Sequence, residues 1–245
     1  LRRRVRAAME QPPAGWQCPQ RIDDRWMGEP LAVRKARAIE LKLAHMPTDL
    51  WAGQLLAGSM TLEHPRIHAE WGFPVYITDA EHEFGRQCGY DTGCFGHIVP
   101  DYPRLLAAGL RGIRAEAEAQ RPAAATPAET AFLDSAIIAL DAVIAFAERL
   151  AGRCAAEADL AAARGEAARA AELAAMADNL RQAPAGPART FWQALQSVWL
   201  LHMVFHSTMD GNAMGRLDQY VWPFLKADLA GGRIEHGAMR FGMAH

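Results

Sequence analysis

The longest helical pattern in the sequence runs from Thr126 to Ala163, and it most constrains the fold. It opens with a capping box, because Thr126 can cap the helix, Pro127 suits its first position and Glu129 lies three residues after the cap. Apolar side chains then recur at helical spacing on one face, at Phe132, Ala136, Leu140, Val143, Ala147 and Leu150. The pattern predicts a long amphipathic helix in a mainly helical protein.

Further helices are predicted on both sides, so that residues 103–245 form a helical region. One begins at Pro103, since proline suits a first helical turn, and another covers Glu166 to about Gln182. A third covers the apolar run Phe191–Phe205, which a second capping-box pattern opens. At about 22 Å this run is too short to cross a bilayer. It also contains polar residues, which indicates a buried core helix: Gln193, Gln196, Ser197 and His202.

Residues 1–102 have a mixed character. A helix is predicted before Pro47, and the alternation of short apolar pieces with glycines in residues 48–65 favours strands or extended loops. Residues 65–102 are rich in Gly, Pro, Asp and His and are predicted to be irregular. The expected fold class is therefore mainly α with a few short strands.

Composition limits the classes of function. The 245 residues carry a formal net charge of −2, so nucleic-acid binding is not expected. Four cysteines do not suggest a disulfide framework, and the short basic cluster at residues 2–6 is no secretory signal, so we expect a cytoplasmic protein. The sequence opens on Leu1 and ends inside a predicted helix, and we expect a fragment or one domain of a longer protein.

Two patterns raise the question of a metal site. Cys88 and Cys94 have five residues between them, whereas zinc ribbons have two. His202 and His206 share one helix face, but Met203 stands where zinc proteases carry Glu. We interpret these residues as structural and expect no metal site. The residues alone complete no catalytic arrangement.

A family resemblance adds to this interpretation. Four stretches in order resemble the N-terminal region of the glycyl radical enzymes, the pyruvate formate-lyase superfamily, and especially its glycerol/diol dehydratase–choline lyase-like branch. They are "FGHIVPDYPRLLAAGLRGI" (95–113), "AFAERLAGRCAAEA" (145–158), "ELAAMADNLRQAPAGPARTFWQALQSVWLLHM" (172–203) and "GRLDQYVWPFLKADLAGGRI" (215–234).

The resemblance implies that residues 1–245 form the incomplete N-terminal part of a ten-stranded α/β barrel. In the family, a glycyl radical near the C-terminal end passes its spin to a cysteine inside the barrel, and the thiyl abstracts hydrogen from the substrate. A radical-SAM activase installs that radical. The implied partners are the missing C-terminal part, the activase and a small-molecule substrate, with a homo-oligomer in the full enzyme and neither nucleic acid nor membrane. No bound cofactor is expected in this chain.

The sequence departs from the family at both radical sites. The family's radical cysteine lies in a Cys-x-Glu motif, and none of the four cysteines here has Glu two places on. "RQCGY" imitates the family's Arg-Val-x-Gly-Tyr glycine site at Gly89, but it lacks Val and precedes the other motifs. We expect the chain to be inactive alone; the alternative is a catalytically dead helical module for binding or assembly.

The resemblance also implies candidate substrate-binding residues. His97 matches a family histidine beside the substrate cavity, where it can exchange a proton with substrate; the alternative is a buried structural histidine. Near "GRLDQY", the Ser of dehydratase-like relatives is missing, and we interpret Arg216 and Asp218 as an internal ion pair that orders a turn. The full candidate set is His97, Asp101, Asn212, Arg216, Asp218 and Gln219.

Overall fold

Seven α-helices carry the fold in the computed structural model, which describes residues 18–58, 73–89, 98–208 and 212–234. In chain order they are α1 (Leu31–His45), α2 (Asp79–Gln87), α3 (Tyr102–Gln120), α4 (Pro127–Ala163), α5 (Ala167–Gln182), α6 (Phe191–Thr208) and α7 (Leu217–Ala230). The predicted mainly helical architecture is confirmed.

The longest helix, α4, begins as its capping box predicts. The Thr126 hydroxyl accepts a hydrogen bond from the Glu129 N–H at 3.2 Å, and the Glu129 carboxylate accepts one from the Thr126 N–H at 3.3 Å. Helix α4 packs against α1, α3 and α5, and its buried side chains concentrate between Ala142 and Ala161. Phe132, predicted to lie on the buried face, is 64% exposed because it lies near the less covered end.

Helix α4 is also the one helix in the described residues that is long and apolar enough to cross a membrane. Length and composition alone support this, and core helices of soluble proteins share both features. The helix carries two carboxylates that bind arginines outside it: Asp134 pairs with Arg121 and Asp141 with Arg114, each at 2.6 Å. The apolar composition therefore does not by itself place α4 in a bilayer.

Residues 48–65 are predicted to form strands or extended loops, and the described part of this segment, residues 48–58, consists of turns and irregular backbone without a strand. Side chains of α6 take the place of a neighbouring strand. Buried Gln196 accepts from the Ala57 N–H at 2.8 Å and donates to the Ala57 carbonyl at 3.0 Å. The indole N–H of Trp192 donates to the Leu55 carbonyl at 2.8 Å. Residues 59–65 lie outside the described residues.

The irregular structure predicted for residues 65–102 is wrong for α2. A capping box begins this helix, because the Thr78 hydroxyl and the Glu81 carboxylate each accept a hydrogen bond from the other's backbone N–H. Glu81 also forms two hydrogen bonds with the buried guanidinium of Arg34 in α1, at 2.8 and 2.5 Å. One carboxylate thus begins α2 and holds it against α1.

Helix α3 consists of two helical segments that meet at Gly109, whose φ of 67° and ψ of 169° are a conformation that glycine alone adopts readily. The kink frees backbone groups for the loop that joins α5 to α6. Leu110 and Arg111 donate to the carbonyls of Pro184 and Ala185 at 2.8 and 2.9 Å. A Cβ on Gly109 would lie 2.3 Å from the Gly186 carbonyl carbon, so the two backbones are in direct contact.

Replacing Gly109 with Ala should strongly destabilise the protein. The new methyl group imposes a strained backbone angle and collides with the Gly186 backbone, which together should lower the free energy of unfolding by about 2–6 kcal/mol. Gly152→Ala is the matched control, since Gly152 lies within α4 with no atom within 4 Å of an added Cβ. It should stabilise by about 0.5–1 kcal/mol. Urea unfolding of both variants measures the difference, and equal effects would contradict the argument.

Glu81→Gln should weaken the link between α1 and α2 in a pH-dependent way. The hydrogen bonds from Arg34, followed by those from Thr78, lower the pKa of Glu81 from 4.5 to about 2. Because the folded pKa is depressed, the stabilisation is complete above the unfolded pKa and disappears as pH falls toward 2.

At pH 7 the free energy of unfolding of Glu81→Gln should be lower than that of the unchanged protein by about 1 kcal/mol, a small value because the Glu81 carboxylate is partly exposed to solvent. Thermal melts between pH 7 and pH 2 should show the two proteins converging at the acid end. Glu83→Gln, in an exposed pair with Arg86 on the same helix, is the control and should change little. A Glu81 effect that persists unchanged at pH 2 would refute the assignment.

Candidate functional site

Two of the stretches that carry the family resemblance meet in space. Residues 98–101 precede α3 and residues 212–216 precede α7, and the Ala213 N–H donates to the Ile98 carbonyl at 3.1 Å. Gly215, with φ of 65°, packs so closely that an added Cβ would lie 2.6 Å from Cγ1 of Val99. We call these two segments, with the adjoining ends of α3, α6 and α7, the motif junction.

Two tyrosines join the helices of the motif junction. The rings of Tyr102 at the start of α3 and Tyr220 in α7 have centroids 5.5 Å apart. The Tyr220 hydroxyl donates to the Met214 carbonyl at 2.7 Å, which fixes the segment before α7. The Tyr102 hydroxyl is buried and has no hydrogen-bond partner in the part of the chain that is described. Burial raises the pKa of each tyrosine to about 12, so both are neutral at physiological pH.

Two histidines of α6 form the other side of the motif junction. His202 and His206 contact each other edge to face, with ring centroids 4.4 Å apart. Nε2 of His206 is 3.1 Å from the Asn212 carbonyl oxygen, to which it donates. Burial, and to a lesser extent the neighbouring His206, lowers the pKa of His202.

Asn212 is the most deeply buried of the predicted site residues in the described part of the chain. Only 7% of it is exposed, yet neither its side-chain oxygen nor its side-chain nitrogen has a hydrogen-bond partner there. Since buried amides are almost always paired in folded proteins, these two atoms are exceptions that call for a physical account.

Arg216 and Asp218 form the ion pair that the sequence predicts, with hydrogen bonds of 3.0 and 2.7 Å. The pair was predicted to be internal, and this was wrong, because the two side chains are 69% and 66% exposed. The hydrogen bonds from Arg216 lower the pKa of Asp218. The pair lies at the first turn of α7, where it orders the chain before the helix.

The remaining candidates take different positions. The Asp101 carboxylate caps α3, accepting from the Arg104 N–H at 3.1 Å, and Gln219 is exposed on the first turn of α7. His97 and Cys94 lie outside the described residues, so the substrate-facing role of His97 stays a prediction. Gly89, with φ of 69°, follows Cys88, the residue that caps the end of α2, and donates its N–H to the Arg86 carbonyl at 3.2 Å, as helix-ending glycines do.

Sequence reasoning missed the two tyrosines and Gln196. Tyr102 and Tyr220 end the segments "PDY" and "DQY" within two of the quoted stretches. The tyrosine that both segments share was therefore the signal in the sequence that could have identified them. Gln196 was visible as a polar residue inside an apolar run, which indicates a buried hydrogen-bonding role.

Comparisons with known proteins agree with the motifs. The family model described as pyruvate formate lyase-like matches residues 66–240. The isethionate sulfite-lyase of Oleidesulfovibrio alaskensis is 36% identical over 146 residues, 56% of this chain and 17% of that protein. The chain therefore corresponds to a small part of this relative's length.

Two solved structures share the fold. One describes 1,2-propanediol dehydration in Roseburia inulinivorans, with a TM-score of 0.71 and 23% identity, covering 95% of this chain and 35% of that chain. The other is a glycyl radical enzyme from Archaeoglobus fulgidus, with a TM-score of 0.67 and 24% identity, covering 96% and 38%. The described helices thus occur within a larger fold in both proteins.

The two tyrosines of the motif junction should respond oppositely to loss of the hydroxyl. Tyr102→Phe removes a buried polar group without a partner and should stabilise the protein by about 1 kcal/mol. Tyr220→Phe removes the hydrogen bond to Met214 and should destabilise by about the same amount. Urea unfolding of the pair of variants gives each a control for the loss of one oxygen atom. Marked destabilisation by Tyr102→Phe would show that its hydroxyl has a partner.

Proposed function

The chain belongs to the pyruvate formate lyase-like family, and on that premise we propose that it supplies the N-terminal part of a bond-cleaving glycyl radical enzyme. The bond is of the C–C, C–O, C–N or C–S type. The sulfite-lyase relative and the propanediol-dehydrating structure support a lyase or dehydratase reaction, which breaks a bond next to a carbon radical.

The meeting of residues 98–101 and 212–216 is the observation that carries this proposal. The stretches "GHIVPDY" and "GRLDQY" are far apart in sequence, and both belong to the resemblance. A backbone hydrogen bond, a glycine contact and the tyrosine pair join them in this chain. These contacts support the proposal that the chain keeps the family's three-dimensional arrangement of the two motifs, and not only their amino-acid sequence.

The chain lacks the groups that would start the radical reaction. It has neither Cys-x-Glu nor the complete glycine motif, so a further polypeptide segment must supply the hydrogen-abstracting thiyl and the glycyl radical. The proposal therefore includes that segment, a radical-SAM activase and a small-molecule substrate as partners in the cytoplasm, within a homo-oligomeric enzyme. The proposal assigns to His97 the exchange of a proton with the substrate.

Electron paramagnetic resonance tests whether the radical residues lie in another polypeptide segment. Incubated anaerobically with a glycyl-radical activase and reductant, the purified chain should give no glycyl doublet and no turnover, because both radical residues are absent. We next consider a chimera in which this chain replaces the matching region of the Oleidesulfovibrio alaskensis sulfite-lyase. Treated with the activase of that enzyme, the chimera should give the glycyl doublet.

The outcomes separate the proposed function from its alternative. A doublet from the purified chain alone would contradict the assignment of the radical residues to another segment. A chimera that folds, as shown by circular dichroism and light scattering, but never acquires the radical would favour a catalytically dead binding or assembly module. The unchanged sulfite-lyase, treated in parallel, is the control for activase quality.

A further inference from the structure

An apolar stripe follows one face of α4 from its covered half into its uncovered half. Its members recur at helical spacing and so lie in one row: Phe132, Ala136, Leu140, Val143, Ala147 and Leu150. The last three are buried, with at most 6% of each residue exposed. Phe132 is 64% exposed, and Ala136 and Leu140 are half-buried. We call Phe132, Ala136 and Leu140 the open stripe.

The helices that bury the rest of the stripe are too short to reach its open part. At 1.5 Å per residue α4 is about 55 Å long, whereas α1 is about 22 Å and α5 about 24 Å long. Helix α5 follows α4 after residues 164–166 and folds back along its C-terminal half. Of residues 127–141, only Ala131 is buried, so neither α1 nor α5 covers this half.

Helix α3 packs against a different side of α4. The Asp134 and Asp141 carboxylates pair with arginines in α3 and directly after it, which marks the side that faces α3. At about 100° per residue, these two carboxylates lie roughly 140–160° round the helix from the open stripe. The open stripe therefore faces away from α3, and no described helix covers it.

A groove of about 440 Å³ adjoins the open stripe. It lies between the first turns of α4 and the 3₁₀ turn that follows α3, and apolar side chains form most of its wall: Ala123, Ala124, Ala128, Phe132 and Leu133. Gln120 and Glu129 also line it, but the Glu129 carboxylate already accepts from the N–H groups of Ala125 and Thr126. The groove thus suits a bulky apolar side chain.

The length of the matching proteins indicates what covers this surface. The chain corresponds to only 35% and 38% of the two solved chains that share its fold, so about two thirds of that fold lie outside it. A helix that is apolar on most sides is normally buried within a larger fold. The buried half of the stripe is covered by the chain's own helices, and cover of the same kind for the open half must come from further polypeptide.

We propose that the open stripe and the adjoining groove are the surface on which the missing polypeptide segment docks, the segment that carries the Cys-x-Glu and glycine motifs. This inference rests on the proposed function, from which it takes the existence of that segment. The complement is an apolar face of the segment, because the wall of the groove is mainly apolar. Docking would continue the row of contacts that Val143, Ala147 and Leu150 make within the chain.

Alkylation of an introduced thiol tests the docking surface. Phe132→Cys places a thiol on the open stripe, and peptide mass spectrometry after iodoacetamide treatment measures its rate of reaction. In the chimera with the sulfite-lyase described above, this thiol should react about tenfold more slowly than in the purified chain, because the added segment covers it. Phe84→Cys is the matched control, since Phe84 is 68% exposed on the otherwise polar helix α2. Its thiol should react at rates within about twofold in both proteins.

A second variant and two further treatments complete the test. Ala136→Cys, a small change on the same stripe, should show the same protection, and it decides the matter if Phe132→Cys alters the helix content seen by circular dichroism. Thiols that react equally fast in the folded chimera and in the purified chain would overturn the docking surface, even if the chimera gives the glycyl doublet. A chimera without the doublet contradicts the proposed function instead, and the labelling still tests the surface.

Other occupants would be recognised by protection in the purified chain itself. Protection that disappears on dilution would assign the surface to a second copy of this chain. Protection that appears only with added phosphatidylcholine vesicles would assign it to a lipid surface. Either result, or equal slowing of the Phe132→Cys and Phe84→Cys thiols in the chimera, would overturn the proposal.

Discussion

The contact between the backbones of Gly109 and Gly186 is the constraint on which the arrangement of the helices depends. It leaves no room for a side chain, and it forces α3 to break where the α5–α6 loop crosses it. The broken turn donates to Pro184 and Ala185, and Ala188 donates back to Leu106, so the loop is held on both sides of the kink. These backbone hydrogen bonds therefore fix the beginning of α6 relative to α3 without any contact from the side chains of α6.

Because its beginning is fixed in this way, helix α6 also positions the segments that its two ends contact. Near its start, Gln196 and Trp192 hold the irregular segment 51–58. At its end, His206 holds the segment before α7, while Tyr102 at the start of α3 packs against Tyr220. Trp192, Gln196 and His206 thus have separate roles, since each binds backbone outside α6 that no strand or helix satisfies.

The local features of the fold could be predicted from the sequence because their causes are local. Thr126 and Glu129 are three residues apart, and so are Thr78 and Glu81; the first capping box predicted α4, while the second was overlooked in a segment rich in turn residues. The sequence left open whether the segment around Ala57 forms a strand or an extended loop, and it is irregular because Gln196, 139 positions away, supplies the hydrogen bonds that a neighbouring strand would have supplied. No periodicity within the segment contains that information.

The candidate site also combines features that the local sequence predicts with features that depend on distant contacts. The motifs around Asp101 and Arg216 could be recognised, but their meeting depends on the α3 kink and on α6, which no local pattern reveals. The burial of Asn212 and the exposure of the Arg216–Asp218 pair were equally out of reach, because both depend on which elements cover the segment before α7.

The polar atoms without partners show where the fold gives up stability. Five buried side-chain atoms lack a hydrogen bond in the described residues, and four of them belong to Tyr102, His202 and Asn212 at the motif junction. Each such atom costs free energy on the order of 1–3 kcal/mol, so their concentration beside the two resembling motifs is not what packing alone would favour. Elsewhere the chain satisfies its buried polar groups carefully, as Arg34, Gln196 and Asp228 show. Apart from Arg37, the described residues thus leave buried side-chain polar atoms unpaired only where the two motifs meet, so stability is given up at the motif junction and not across the rest of the core.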